Sequence, residues 1–186
     1  MNNEEERAAL AEKKLSGEDV FEGFILHVKK DTVALPDGKR AFREVIRHIG
    51  AVCVVPVTED GRVIVERQFR YPVDEVLTEI PAGKLDAADE DRLEAAKREL
   101  REETGYTAEN WTDMGIYFPS PAYTDERITM YLATGLEKGE QQLDEGEFLN
   151  VEAVPMSELK KQIFDGRITD GKTQVAILKA AAILNL

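Results

Sequence analysis

Short apolar runs, separated by turn signals, recur along the chain and predict a strand-rich protein. Pro36-Asp37-Gly38 and Glu59-Asp60-Gly61 are strong turn signals, because these residue types suit the backbone angles of tight turns. The runs between such signals predict strands at 24–35, 40–48, 51–58, 62–69, 76–80, 111–118, 128–134 and 148–154.

Helical patterns separate and flank these strands. They predict a polar helix through about Lys14, an acid-rich helix that ends at Gly105, and two further helices at 156–164 and 174–184. The last helix has few charges and is assigned to packing. Mixed strands flanked by helices predict an α/β sandwich.

The acid-rich helix carries three glutamates on one face. At about 100° per residue, Glu99, Glu102 and Glu103 fall within roughly 100° of one another. Arg98 lies one turn before Glu102, so it can hold that carboxylate in one rotamer. The apolar face beside them consists of Leu93, Ala96 and Leu100.

Such a cluster predicts a site for Mg²⁺ and a diphosphate. Like charges this close raise one another's pKa values, and a divalent cation removes that cost. Mg²⁺ prefers oxygen ligands and is typically held by one or two carboxylates together with substrate phosphates. The alternative is an ordinary solvated amphipathic helix, because charge-rich surface helices are common.

Residues 98–106 read Arg-Glu-Leu-Arg-Glu-Glu-Thr-Gly-Tyr, which resembles the second half of the Nudix hydrolase signature. Glu90 lies eight residues before Arg98, as that signature requires. Six residues separate Gly83 from Glu90 where the signature has five, and Asp89 occupies the strict position. We interpret this departure as a one-residue insertion in the loop at 86–88, which leaves the metal-binding face intact.

The resemblance also implies the fold and the domain organisation. It implies a Nudix α/β/α sandwich with a mixed sheet, preceded by an N-terminal β-hairpin subdomain. Residues 1–48 would form a helix and hairpin extension that serves dimerisation and substrate contacts, and residues 49–186 would form the hydrolase domain. The resemblance further implies that the protein is a homodimer.

Composition agrees with a compact enzyme. The chain has 186 residues, of which 42% are hydrophobic, enough for one domain with a short extra element. No apolar run approaches a membrane span, and the acidic N-terminus lacks the apolar core of a signal peptide, which predicts a cytoplasmic protein. Cys53 is the sole cysteine, and its apolar surroundings predict a buried strand thiol rather than a nucleophile.

The net charge of −13 argues against nucleic acid or an anionic membrane as a partner. An anionic small-molecule substrate meets the same unfavourable field. Its binding would need metal ions and locally placed arginines.

Two segments outside the signature resemble the ADP-ribose pyrophosphatase branch. Pro121 lies sixteen residues after Gly105, and residues 79–84 read Glu-Ile-Pro-Ala-Gly-Lys. The resemblance implies that the cofactor is Mg²⁺, with Mn²⁺ as a possible substitute. The implied metal ligands are the Ala82 carbonyl, Glu99, Glu103 and Glu102.

The branch also implies substrate contacts. Arg43 and Arg70 match positions that supply arginines, and guanidinium groups can bind a diphosphate bidentately. Surface ion pairs are the alternative for each arginine. Phe24 is expected to stack on an adenine, and Pro121 and Glu126 complete the implied substrate-binding set.

Residues 143–148 read Leu-Asp-Glu-Gly-Glu-Phe and resemble the loop that supplies the catalytic glutamate in this branch. Glu145 is the first candidate for the general base and Glu147 is the second, whereas a solvated loop is the alternative. Glu102 is a rival base on the helix. The sequence does not rank a loop acid against a helix acid.

The implied reaction is Mg²⁺-dependent hydrolysis of the diphosphate of ADP-ribose to AMP and ribose 5-phosphate. Hydrolysis of another nucleoside diphosphate sugar, such as GDP-mannose, is an alternative. A Nudix domain that binds ADP-ribose without cleaving it is a third possibility. The intact acids of the signature argue against that third possibility.

Overall fold

The structure is a computed structural model that describes residues 3–143 and 145–186. The chain divides into two compact units. The N-terminal unit comprises the residues up to His48 together with Ser120–Glu126. The main unit comprises Ile49–Pro119 and Arg127–Leu186.

The N-terminal unit is built on a three-stranded antiparallel sheet with strand order β1-β2-β3. The prediction of a helix through Lys14 is wrong beyond Leu10, because the segment from Lys13 onward is a strand. This strand turns the predicted hairpin into a three-stranded sheet. The elements are α1 (Asn3–Leu10), β1 (Lys13–Glu22), β2 (His27–Ala34) and β3 (Arg40–Arg47).

Strand β1 escaped the sequence analysis because it is exposed along its whole length and has no apolar face. It is stabilised by cross-strand ion pairs with β2, such as Lys14 to Asp31 at 2.6 Å and Lys29 to Asp19 at 2.5 Å. Such pairing depends on which strands become neighbours, so local hydrophobic periodicity cannot reveal it.

The main unit contains two sheets and three α-helices. The mixed sheet has the order β7-β4-β9-β8, in which only the β4–β9 pair is parallel, and the second sheet is antiparallel with the order β10-β5-β6. The strands of the main unit are β4 (Ala51–Pro56), β5 (Arg62–Arg70), β6 (Glu75–Glu79), β7 (Ala82–Lys84), β8 (Tyr106–Tyr117), β9 (Ile128–Lys138) and β10 (Leu149–Pro155). Its α-helices are α2 (Arg92–Thr104), α3 (Met156–Phe164) and α4 (Gly171–Leu184), and a 3₁₀ turn covers Tyr71–Val73.

Strand β4 is apolar throughout because both of its faces are buried. Val52 and Val54 pack in a cluster with α2, whereas Cys53 and Val55 pack in a second cluster with α3 and α4. Helices therefore cover both faces of the mixed sheet, and the predicted α/β/α sandwich is confirmed. Burial raises the pKa of the Cys53 thiol to about 12, so this residue is a structural thiol.

The predicted strands and helices of the main unit match the structure closely, but β7 and the first part of β8 were missed. Strand β7 spans only Ala82–Lys84, which is too short to show a period, and β8 begins with a polar, mostly exposed segment. No helix in the described residues is long and apolar enough to cross a membrane.

Candidate active site

Helix α2 is fixed at both ends by its own sequence. The Asp91 side chain accepts hydrogen bonds from the N–H groups of Leu93 (2.9 Å) and Glu94 (3.0 Å), which is a typical N-cap. Gly105 ends the helix with a φ of 75°, and its N–H donates to the Arg101 carbonyl at 2.8 Å. The ends thus fix which face of the helix meets the sheet.

Two of the predicted metal ligands on α2 lie against β7. The Glu99 carboxyl group lies directly over Gly83, where an added Cβ would come within 2.0 Å of it. Glu103 Oε2 accepts a hydrogen bond from the Ala82 N–H at 2.9 Å. The structure therefore brings Glu99 and Glu103 together beside Ala82, and only glycine leaves room for Glu99.

Arg98 gathers the acids of the helix and of the preceding loop. Its guanidinium group lies 2.8 Å from Glu99, 3.3 Å from Glu102, 3.4 Å from Glu90 and 3.5 Å from Asp86. The predicted contact between Arg98 and Glu102 is thus present. The Asp86 N–H also donates to Glu90 at 2.7 Å, so Glu90 is tied both to the loop and to the helix.

The two α2 carboxylates that lie against β7, Glu99 and Glu103, resist ionisation. Burial raises the pKa of Glu99 to about 7, although Arg98 opposes the shift. Burial also raises the pKa of Glu103, and the charges of Glu66 and Glu99 raise it further. Nearby positive charge would favour the ionised forms, because it offsets both desolvation and repulsion.

These residues fit a divalent cation. In residues 3–143 and 145–186, no three His, Cys, Asp or Glu side chains form a ready metal-binding cluster. The fit rests instead on Glu99 and Glu103, two buried carboxylates that lie against the main chain of β7, because carboxylate oxygens are ligands that hard cations prefer.

Glu66 is a buried acid that the sequence analysis did not single out and whose charge acts on Glu103. It lies on β5 directly opposite Glu79 of β6 and is only 1% exposed. Neither of its carboxylate oxygens has a hydrogen-bond partner within 3–143 and 145–186, and burial together with the charge of Glu79 raises its pKa. The available signal was an acidic residue directly after the apolar run Val-Ile-Val, in the same strand, because glutamate is rarely buried without a partner.

Arg70 pairs with the buried carboxylate of Glu79. Its Nε and one terminal nitrogen donate to Glu79 at 2.7 and 2.8 Å, and the Lys172 ammonium group also contacts Glu79. Arg70 thus forms an ion pair, but with a carboxylate that is 1% exposed and not with the surface partner that was the alternative. Because 41% of the side chain remains exposed, its substrate role stays a prediction.

The first residues of the loop after β9 contact the C-terminal end of α2. The Gly139 N–H donates to the Gly105 carbonyl at 2.7 Å, and the Gln142 N–H donates to the Glu102 carbonyl at 3.0 Å. Further along, Glu145 is exposed in a turn, whereas Glu147 is half-buried. Asp144, which directly precedes Glu145, lies outside the described residues.

Glu147 is electrostatically coupled to the acids of the site. Burial and other charged groups have larger effects on the pKa values of Glu66, Glu99 and Glu103, and the charge of Glu147 raises these pKa values further. Of the two loop candidates for the general base, Glu147 is thus the one whose charge acts on these carboxylates.

The other predicted substrate contacts lie in the N-terminal unit. Arg43 pairs with Glu12 and donates to the Phe42 carbonyl at 2.9 Å. The Phe24 side chain is 94% exposed. Pro121 is exposed, and the Glu126 N–H donates to Thr124 at 3.1 Å. The roles of Arg43, Phe24, Pro121 and Glu126 in substrate binding stay predictions.

Family comparisons agree with this site. Residues 47–173 match the NUDIX domain, and residues 12–46 match the nucleoside diphosphate sugar hydrolase N-terminal domain. The chain therefore belongs to the Nudix hydrolase family. Nudix hydrolases generally use divalent metal cations, which is the class of ion that the buried carboxylates of α2 fit.

Individual proteins of known name also resemble this chain. The chain is 39% identical to the ADP-ribose pyrophosphatase of Bacillus subtilis (strain 168) over 171 residues, which cover 91% of this chain and 92% of that protein. It is 34% identical to the GDP-mannose pyrophosphatase of Pectobacterium atrosepticum, over 94% of this chain and 93% of that one. The crystal structure of an ADP compounds hydrolase has the same fold, with a TM-score of 0.84, 23% identity and 94% of each chain covered.

Proposed function

We propose that this protein hydrolyses the diphosphate of ADP-ribose to AMP and ribose 5-phosphate. The observation that carries the proposal is the 39% identity, over 91% of the chain, to an enzyme named ADP-ribose pyrophosphatase. The carboxylates gathered by α2 beside Ala82 support the same chemistry, because a diphosphate needs a cation to be bound by so acidic a protein.

The proposed cation is Mg²⁺, with Mn²⁺ as a substitute, held by Glu99, Glu103, the Ala82 carbonyl and Glu102. When bound, it supplies the positive charge that neutralises the diphosphate and polarises its phosphorus–oxygen bonds. The protein contributes the positions of the ligands. Arg98 fixes the carboxylates of Glu99 and Glu102, and Gly83 leaves space for Glu99.

We assign the general base to Glu147, ahead of Glu145 and Glu102. A water molecule attacks one phosphorus in line with the bridging oxygen, its proton passes to the Glu147 carboxylate, and the bridging bond breaks to leave two phosphomonoesters. Glu147 is half-buried and influences the site acids, whereas Glu145 is exposed and Glu102 is held by Arg98.

The homodimer, the domain boundary after residue 48 and the cytoplasmic location belong to this proposal as predictions. Large apolar side chains exposed on the N-terminal unit support the first, because exposed apolar surface is often covered in an interface. The exposed residues are Val20, Phe21, Phe24, Ile25 and Phe42.

GDP-mannose is the second candidate substrate. The 34% identity to a GDP-mannose pyrophosphatase over 94% of the chain supports it. The same carboxylates and the same base would act on either diphosphate, so the two candidates differ only in the residues that contact base and sugar.

A substrate panel distinguishes the candidates. The purified protein with Mg²⁺ would be given ADP-ribose, GDP-mannose, ADP-glucose, NADH and diadenosine polyphosphates, with alkaline phosphatase added to release phosphate from the phosphomonoester products. We expect the highest kcat/KM for ADP-ribose. A preference for GDP-mannose would change the substrate and keep the chemistry, whereas ADP-ribose binding without any turnover would mean a sensing protein.

A further inference from the structure

Among the residues that the structure describes, the Glu66 carboxylate has no hydrogen-bond partner, whereas its neighbour Glu79 has several. Glu66 and Glu79 face each other across the β5–β6 pair, and both are 1% exposed. Arg70 and Lys172 pair with Glu79. Both oxygens of Glu66 are buried without a hydrogen bond to any described residue, which is unfavourable for an ionised carboxylate.

The position of Glu66 on β5 directs it away from the apolar core. Side chains alternate along a strand, and Val63 and Val65 pack in the core cluster between the sheets and α3 and α4. Glu66 therefore projects from the opposite face of β5, which also carries Arg70.

The groups that act on Glu66 come from every side of the candidate site. Its carboxylate is subject to the charges of Glu79 on β6, Arg70 on β5, Lys172 at the start of α4 and Glu147 in the loop. The charge of Glu66 in turn reaches Glu103 on α2, whose Oε2 is held by the Ala82 N–H. Glu66 on β5 and Glu103 on α2 therefore lie within range of each other's charge.

We propose that Glu66 is a further carboxylate of the divalent-cation site, opposite Glu99 and Glu103. The inference rests on the proposed function of that site. Unpartnered carboxylate oxygens are the donors that hard cations prefer. A bound cation would satisfy Glu66 and offset its repulsion with Glu103 at the same time, whereas Arg70 and Lys172 are already paired with Glu79.

Mn²⁺ binding tests the proposal without relying on turnover. Free Mn²⁺ would be measured by electron paramagnetic resonance during titration of wild type, Glu66→Gln, Glu66→Asp and Glu152→Gln. The glutamine removes the charge at nearly constant volume, whereas the aspartate keeps the charge. Glu152→Gln is the matched control, because Glu152 lies exposed on the adjacent strand β10.

We expect Glu66→Gln to weaken Mn²⁺ binding by about 10-fold or more, the scale on which residues that support a metal site act. Glu66→Asp should bind Mn²⁺ more tightly than Glu66→Gln, and Glu152→Gln should match wild type. Melting curves in EDTA would establish that each variant folds. A Glu66→Gln protein with wild-type Mn²⁺ affinity would overturn the proposal, because Glu66 would then be a merely structural buried acid.

A Glu103→Gln variant separates this proposal from the proposed function. If Glu103→Gln loses Mn²⁺ binding and Glu66→Gln retains it, the cation site stands and the role of Glu66 is overturned. If Glu66→Gln weakens Mn²⁺ binding in a protein that does not hydrolyse ADP-ribose, the role of Glu66 stands and the proposed substrate falls. Absence of Mn²⁺ binding by wild type would overturn both.

Discussion

At the scale of single residues, the candidate site depends on the absence of a side chain at Gly83. Gly83 precedes the loop to α2, and the carboxyl group of Glu99 occupies the space where a Cβ would project from it. The glycine that opens the signature therefore has a packing role here, not only a conformational one. Its neighbour Ala82 binds Glu103 through the main chain, so two consecutive residues set the positions of both acids.

Gly83→Ala should displace Glu99 from β7. The added Cβ would lie 2.0 Å from the carboxyl group, so the side chain of Glu99 must move. We expect kcat/KM for ADP-ribose to fall about 100-fold, the effect typical of a displacement of about 1 Å at a catalytic site. Steady-state kinetics would measure this loss, and a variant as active as wild type would show that Glu99 does not need its present position.

At the scale of elements, α2 is stabilised on one face and destabilised on the other. Ala96 and Leu100 are fully buried against the sheet, whereas Glu99 and Glu103 are buried as acids with raised pKa values. Ionising these acids in the folded protein costs free energy, and a bound cation recovers it.

Stability should therefore depend on pH and on the cation together. The pKa of Glu99 rises from 4.5 to about 7 on folding, so its contribution is fully present below pH 4.5 and is lost as the pH rises through 7. The shift corresponds to about 3 kcal/mol. In EDTA, we expect the melting temperature to fall between pH 5 and pH 8, and Mg²⁺ should reduce the fall.

Glu99→Gln supplies the control for this titration. Melting curves of the variant in EDTA should show a smaller fall over the same pH range, because the group that titrates is absent. An equal fall in both proteins would assign the pH dependence to other groups.

The loop after β9 allows two glutamates of the same segment to be compared. If Glu147 is the general base, Glu147→Gln should lower kcat by 10² to 10⁴-fold, the usual contribution of a general base. Glu145→Gln, two residues away and exposed, should keep most of the activity. Single-turnover kinetics of the two variants would measure the difference, and the reverse order would assign the base to Glu145.

At the scale of the whole molecule, the elements with strong apolar patterns were predictable. Strand β4 and helix α3 appear where the sequence places them, because burial leaves a clear pattern in their residues. Strand β1 was missed because it is exposed, and β7 because it spans only three residues.

The candidate site was predictable where helical spacing defines it and not where tertiary structure does. The spacing of Glu99, Glu102 and Glu103 shows in the sequence, as does the contact of Arg98 with Glu102. The sequence could not show that Glu66 lies within range of the charge of Glu103, because that depends on how the tertiary structure arranges β5 and α2. The preference for Glu147 over Glu145 likewise depends on the path of the loop.

The predicted homodimer can be tested on the intact protein. Sedimentation equilibrium should give about twice the chain mass of 20.9 kDa. Phe24→Ser and Phe42→Ser would remove exposed apolar side chains from the N-terminal unit, and we expect them to shift the equilibrium towards the monomer. A wild-type protein that sediments as a fully active monomer would contradict the prediction.

Hydrolysis of ADP-ribose by wild type and Glu103→Gln, followed by ³¹P nuclear magnetic resonance, tests the central claim most directly. With Mg²⁺, wild type should convert the diphosphate signals into those of two phosphomonoesters, and EDTA should abolish the conversion. Glu103→Gln should fold, bind less cation and show little conversion. Undiminished turnover by Glu103→Gln, or no turnover by wild type with Mg²⁺, would contradict the account.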